Sequence, residues 1–77
     1  MLNKYSNIPL YSQLKEVIIE KINSGEYPHD TKIPSELEYC EMHDISRPTV
    51  RQAIAELTNG GILYKVKGKG TFVAKSK

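Results

Sequence analysis

The sequence of 77 residues predicts a mainly α fold closed by a small β-hairpin, three helices followed by two strands. Three observations predict it. Apolar residues recur at helical spacing from Leu10 to Ile22 and from Val50 to Leu57. A capping-box pattern opens a shorter helical segment at Ser35, and after Gly60-Gly61 the period changes to an alternation of two around a glycine-rich turn. One small domain over 1–74 accounts for all of them, with 75–77 as a tail or the start of a linker.

Met1 to Asn7 is polar and carries no period, so a loose start is expected. The first helix is expected from Pro9 to about Ser24. Leu10, Leu14, Val17, Ile18 and Ile22 form its inner stripe with Tyr11 beside them, Gln13, Lys15, Glu16 and Glu20 lie mostly outside, and Ser24-Gly25 supplies the stop. Ile19 falls off that stripe. It is either a lone surface residue or part of a contact with chain not present here. Glu26 to Lys32, with Pro28 and Asp30, reads as a reversing turn, and Lys32-Ile33 can add a very short strand.

Ser35 and Glu38 fit the S-x-x-E capping box, in which each side chain satisfies the other's orphan backbone donor; the second helix then runs to about His43. Tyr39, Cys40 and His43 give it a modest inner face. Glu36, Glu38 and Glu41 read as structural charge, the first two at the positive end of the helix dipole. Only Asp44-Ile45 then separates this helix from the next, a tight connection of the helix-turn-helix kind.

The third helix is expected from a Ser46 cap to near Asn59-Gly60-Gly61, with Pro48 in the first turn where a missing donor costs little. Val50, Ala53, Ile54 and Leu57 face the core. Arg47, Arg51 and Gln52 project from the first two turns, and Arg and Gln carry the paired donors that match guanine and adenine edges in a DNA major groove. A plain solvated helix face is the alternative for the same residues. In the hairpin, Ile62, Tyr64 and Val66 alternate with Leu63, Lys65 and Lys67, and Thr71 to Ala74 forms the returning strand. Between them lies Gly68-Lys69-Gly70, a tip whose glycines allow close backbone approach while Lys67 and Lys69 supply charge for a phosphate backbone or a minor groove.

Composition narrows the function classes. Net charge is only +2, but residues 1–44 carry four Lys against eight acids, whereas 45–77 carry two Arg and five Lys against one Glu. A field so divided can steer one face onto a polyanion. The length leaves no room for a core plus a deep substrate cleft, and there is no nucleophile–base pair, phosphate loop or metal cluster, so an enzyme is not expected. No catalytic residue, metal or cofactor is assigned. Cys40, the single cysteine, reads as a small buried apolar residue in a reducing compartment, and His29 and His43 as ordinary turn and core-edge residues. No apolar run approaches the ~18 residues that span a bilayer, so a cytoplasmic chain is expected.

Taken together, several spaced motifs resemble the N-terminal winged helix-turn-helix domain of the GntR family of bacterial transcription regulators. They are Pro9-Leu10-Tyr11 with Gln13-Leu14, Ser24-Gly25-Glu26-Tyr27, Ile33-Pro34-Ser35-Glu36, Ser46-Arg47-Pro48-Thr49-Val50-Arg51-Gln52-Ala53, and Gly68-Lys69-Gly70-Thr71-Phe72-Val73. The opening and the third-helix run look most like the HutC-type branch, with the YtrA-type branch second. The resemblance implies sequence-specific binding of double-stranded operator DNA, commonly for repression, with the recognition helix 46–59 in the major groove and the wing tip 67–70 at the minor groove. Carried over by position, Ser46, Arg47, Thr49 and Arg51 match the family's contact positions in that helix, and Gly68, Lys69 and Gly70 its wing tip. Ser46 and Thr49 can equally serve as structural caps.

The sequence also departs from the family. Pro48 stands where many relatives carry a hydrogen-bonding side chain, Leu37 where many carry an arginine after P-S-E, and Asp30 where glycine is common before the short strand. The Leu37 departure implies altered operator preference or weaker binding. The resemblance further implies a C-terminal domain that binds a small effector and holds a homodimer on an inverted-repeat operator, so a fragment is expected here. A winged helix used for protein–protein contact without specific DNA binding is the rival reading.

Overall fold

The computed structural model describes residues 2–75. The chain forms α1 (Leu10–Asn23), α2 (Glu36–His43), α3 (Arg47–Asn59), β1 (Leu63–Val66) and β2 (Gly70–Val73). Each helix lies within about a residue of its expected bounds because local chemistry marks the ends. Ser35 accepts from the Glu38 N–H at 3.2 Å while the Glu38 carboxylate accepts from the Ser35 N–H at 2.8 Å, so the capping box is complete. Ser46 caps α3 through the Thr49 N–H, with Pro48 in the first turn. At the other end Gly60 stays in the right-handed region and Gly61 takes φ +80. That geometry lets the Ile62 N–H reach Leu57 O at 2.9 Å and the Gly61 N–H reach Thr58 O at 3.1 Å, the paired bonds of a Schellman motif.

Leu14 and Ile18 of α1, Tyr39 of α2, and Val50, Ala53, Ile54 and Leu57 of α3 are buried together, closed below by Leu63 and Val73 and at the connections by Ile33 and Ile45. Tyr39, on the inner face expected of α2, is fully buried. Its hydroxyl shares a 3.0 Å hydrogen bond with the Tyr27 hydroxyl, which makes full burial of a phenol tolerable, and desolvation pushes its pKa far up. His43 stacks on Tyr39 at 6.1 Å between ring centroids, and among the described residues neither of its ring nitrogens has a partner; burial holds its pKa below the usual histidine value. Ile19 packs half-buried against this core, which sets aside its reading as a lone surface residue.

The loose start expected for Met1 to Asn7 is corrected over 2–7; Met1 lies outside the described residues, as do Ser76 and Lys77 of the expected tail. The Gln13 carboxamide reaches back from α1, donating to Asn3 O at 2.9 Å and Ile8 O at 2.8 Å and accepting from the Asn3 N–H at 2.7 Å. Leu2 packs on the core and Lys4 pairs with Asp44 at 3.1 Å. A single polar side chain on a helix face gives no periodic signal, so this clamp was invisible in the pattern.

β1 and β2 pair antiparallel with Leu63 opposite Val73 and Val66 opposite Gly70. Gly70 therefore opens β2 rather than belonging to the turn, which is Lys67-Gly68-Lys69. One face of the hairpin is buried at its base. Leu63 and Val73 are buried, whereas Tyr64 and Phe72 are half-buried and stack across the strands at 5.6 Å. Within the strands, full burial is thus confined to the base of the hairpin. The expected short strand at Lys32-Ile33 is a single bridge, Lys32 to Phe72, held by Ile33 N–H to Thr71 O at 2.9 Å and Val73 N–H to Thr31 O at 3.0 Å.

Two turns use aspartate in the left-handed region, Asp30 at φ 65 and Asp44 at φ 54. Asp44 is the corner between α2 and α3. Side chains with a Cβ are strained there by roughly 1–2 kcal/mol relative to glycine. Asp44→Gly is therefore expected to be more stable than Asp44→Ala by about 1 kcal/mol, read from urea unfolding; both variants lose the Lys4 pair, so that loss cancels in the comparison. Equal stabilities would mean that the corner carries no backbone strain.

The capping box also sets an acid limb. Glu38 has its pKa lowered, first by the Ser35 backbone N–H and then by the Ser35 hydroxyl. A carboxylate depressed in the folded state contributes stability above its unfolded pKa, and that contribution is lost as pH falls through the folded value. Thermal melts of Glu38→Gln are expected to show a shallower fall in the midpoint below about pH 4.5 than the parent, because glutamine keeps the acceptor without titrating.

Candidate nucleic-acid interface

The exposed end of α3 is built from its first two turns. Ser46 Oγ lies 2.8 Å from Thr49 Oγ1 and also accepts from the Thr49 N–H, so both hydroxyls are engaged in the cap. Arg47 and Arg51 converge on one carboxylate. Arg51 Nε donates to both oxygens of Glu36, at 3.5 and 3.4 Å, and Arg47 Nη2 lies 3.8 Å from Glu36 Oε1. The two guanidinium side chains remain 58% and 61% exposed, so these are solvent-screened pairs of about 0–1 kcal/mol each. A phosphate or a base edge can displace such contacts.

Gln52 is placed apart from this pair. Its amide donates to Glu56 at 3.3 Å, and Glu56 in turn binds Lys15 of α1 at 2.7 Å, the contact that chiefly holds the Glu56 carboxyl below its usual pKa. Gln52 thus lies on the flank of α3 that faces α1, whereas Arg47 and Arg51 lie on the flank that faces α2.

The hairpin tip stands across a cleft from the Glu36 end of α2. Lys67, Gly68, Lys69 and Gly70 line one wall, and Glu36, Ser35 and Ile54 the other. Gly68 at φ +80 makes the reversal, closed by Lys69 N–H to Val66 O at 3.0 Å. The fold therefore pairs Arg47 and Arg51 with Glu36 on one wall and puts the tip residues on the other.

Three residues of this face were not singled out by the sequence. Glu36 was read as structural charge; it is the shared acceptor of both arginines. Lys32 and Lys65 also line the cleft. The polar alternation of β1 hinted at Lys65, but nothing local to Lys32 shows that its strand bridge lays it beside Gly70. The arrangement offers guanidinium forks, ammonium groups and backbone donors, which recognise anions and base edges. Among the described residues no cluster of His, Cys, Asp and Glu could hold a metal ion, and no helix is long and apolar enough to cross a membrane.

Residues 10–73 match the family model described as bacterial regulatory proteins, gntR family. The chain belongs to the GntR family. It is 51% identical over 76 residues to the HTH-type transcriptional repressor NagR of Bacillus subtilis (strain 168), covering 99% of this chain and 31% of that protein. It is 47% identical over 70 residues to the histidine utilization repressor of Klebsiella aerogenes, covering 90% of this chain and 29% of that one. The chain thus spans about a third of these GntR relatives. Among solved structures, the crystal structure of AraR(DBD) in complex with operator ORR3 superposes with a TM-score of 0.86 at 44% identity, covering 96% of this chain and 89% of that one. The winged helix-turn-helix expected from the sequence is the fold of this GntR chain, and histidine utilization repressors among its relatives accord with the HutC-like reading.

Proposed function

We propose that this chain is the DNA-binding domain of a bacterial GntR-type transcription repressor that reads double-stranded operator DNA. One observation carries the reading: Arg47 and Arg51 stand at the exposed start of α3, tethered only by weak pairs to Glu36, which lines a cleft whose other wall is the basic hairpin tip. A helix start seated in a major groove places these forks against base edges and leaves the tip Lys67-Gly68-Lys69-Gly70 at the neighbouring phosphates or minor groove. Ser46 and Thr49 fit phosphate contact from the helix cap, and Gln52 a contact at the far edge of the groove. The relatives named as repressors, and the operator complex of a structure 44% identical, support the same reading.

Leu37 is 55% exposed beside Glu36 and presents an apolar surface where many relatives offer arginine, so this domain is expected to prefer a different operator or to bind more weakly. In a longer protein the domain works as one head of a cytoplasmic homodimer on an inverted repeat, with a small effector bound elsewhere biasing the geometry of the two heads. Tethering makes the second contact intramolecular, so the isolated domain binds more weakly than the dimer.

The test is selection from random duplexes by the 77-residue chain at two salt concentrations, followed by sequencing of the retained DNA. Enrichment of a common half-site with affinity falling at higher salt is the expected result. Absence of binding to any duplex at low salt would overturn the proposal and favour a winged helix used for protein contact.

A further inference from the structure

Ion pairs divide the cations of this chain into two sets. Lys4 binds Asp44, Lys15 binds Glu56, Lys21 binds Glu26, and Arg47 and Arg51 share Glu36. Among the described residues, Lys32, Lys65, Lys67, Lys69 and Lys75 enter no ion pair, and the first four line the cleft between α2, α3 and the hairpin. Glu36 is the only acid in that lining, and its carboxylate already faces two guanidinium groups. Four ammonium groups lining one cleft against a single carboxylate suit it to a bound polyanion.

Lys32 is built into the site by the backbone around it. The strand bridge to Phe72 brings it beside the base of the tip, and Gly70 leaves room for its stem: a Cβ added there would lie 2.7 Å from Lys32 Cε and 3.4 Å from Cδ. Gly70 also adopts φ +134, a conformation that disfavours any side chain. The glycine thus does more than open the strand. It lets a lysine from before α2 lie across the first residue of β2.

We propose that Lys32 and Lys65 form a phosphate seat at the base of the cleft, gripping one strand of duplex backbone where it passes between α3 and the tip. This inference rests on the DNA-binding reading and adds two contacts from elements outside the recognition helix and the tip. Such contacts position the protein on the duplex and carry no sequence information.

The test compares Lys32→Gln, Lys65→Gln and Lys75→Gln with the parent chain, on the selected duplex and on an unrelated duplex, across a salt titration. Lys75 enters no ion pair among the described residues and lies outside the cleft. Each cleft variant is expected to reduce the slope of log affinity against log salt by about 0.9, to weaken both duplexes by the same factor and to retain the parent's circular dichroism; Lys75→Gln is expected to keep the parent slope. Unchanged slopes in both cleft variants would overturn the seat while leaving the reading of DNA intact, as would an equal loss in Lys75→Gln. A parent chain that binds neither duplex would overturn both.

Discussion

Arg51→Ala is expected to lower affinity for the selected half-site by about 1–3 kcal/mol while leaving the unfolding midpoint nearly unchanged, and Arg47→Ala to do the same. The two parts of the expectation have separate causes. Each side chain is more than half exposed, and its partner Glu36 keeps the other arginine when one is removed, so the folded state loses only a screened surface pair. On DNA, by contrast, a guanidinium fork that meets a guanine edge makes two parallel hydrogen bonds, and truncation leaves that edge unpaired and dry. Arg51→Lys sharpens the test. It keeps the charge and therefore most of the salt dependence, but loses the fork, so affinity for the selected site should fall toward that for unrelated duplex. Operator affinity retained in both alanine variants would remove α3 as the reading element.

Leu57→Ala carries the largest expected loss of stability, about 2–5 kcal/mol by urea unfolding. Leu57 is 1% exposed at the C-terminal end of the α3 core stripe, with Leu63 and Val73 closing the core beneath. A small domain of this kind has roughly 5–15 kcal/mol in total, so the variant is expected to populate unfolded chain at moderate temperature. Its backbone carbonyl still accepts from Ile62 in the variant, so the loss reports the cavity rather than the cap. A cost below about 1 kcal/mol would show that the hairpin collapses into the space, and that α3 is held chiefly by other contacts.

Much of this molecule is written in local pattern. The Ser35–Glu38 box, the Ser46 cap, the Gly60-Gly61 stop and the stripe Val50, Ala53, Ile54 and Leu57 need only near neighbours in the chain, because caps and helical faces arise within a few residues of backbone geometry. Charge asymmetry and the placing of Arg47, Arg51 and the basic tip were legible for the same reason. The alternation of Ile62, Tyr64 and Val66 with Leu63, Lys65 and Lys67 leaves open which hairpin face is covered. A four-residue strand has two faces of mixed character, and which one is covered depends on what lies beneath it.

By itself, then, the sequence determined three helices with their ends, a two-stranded hairpin, one core stripe on the third helix and the residues that reach outward from it. The tertiary structure alone decided that Gln13 clamps residues 3–8, that Glu36 stands between two arginines, that Lys15 binds the Glu56 carboxylate beside Gln52, and that Lys32 crosses Gly70. These contacts join residues from 5 to 41 positions apart in the chain. Periodicity reports only the geometry of a single element, and such pairs come into being when the burial of Leu14, Tyr39, Leu57 and Leu63 in one core sets the elements side by side.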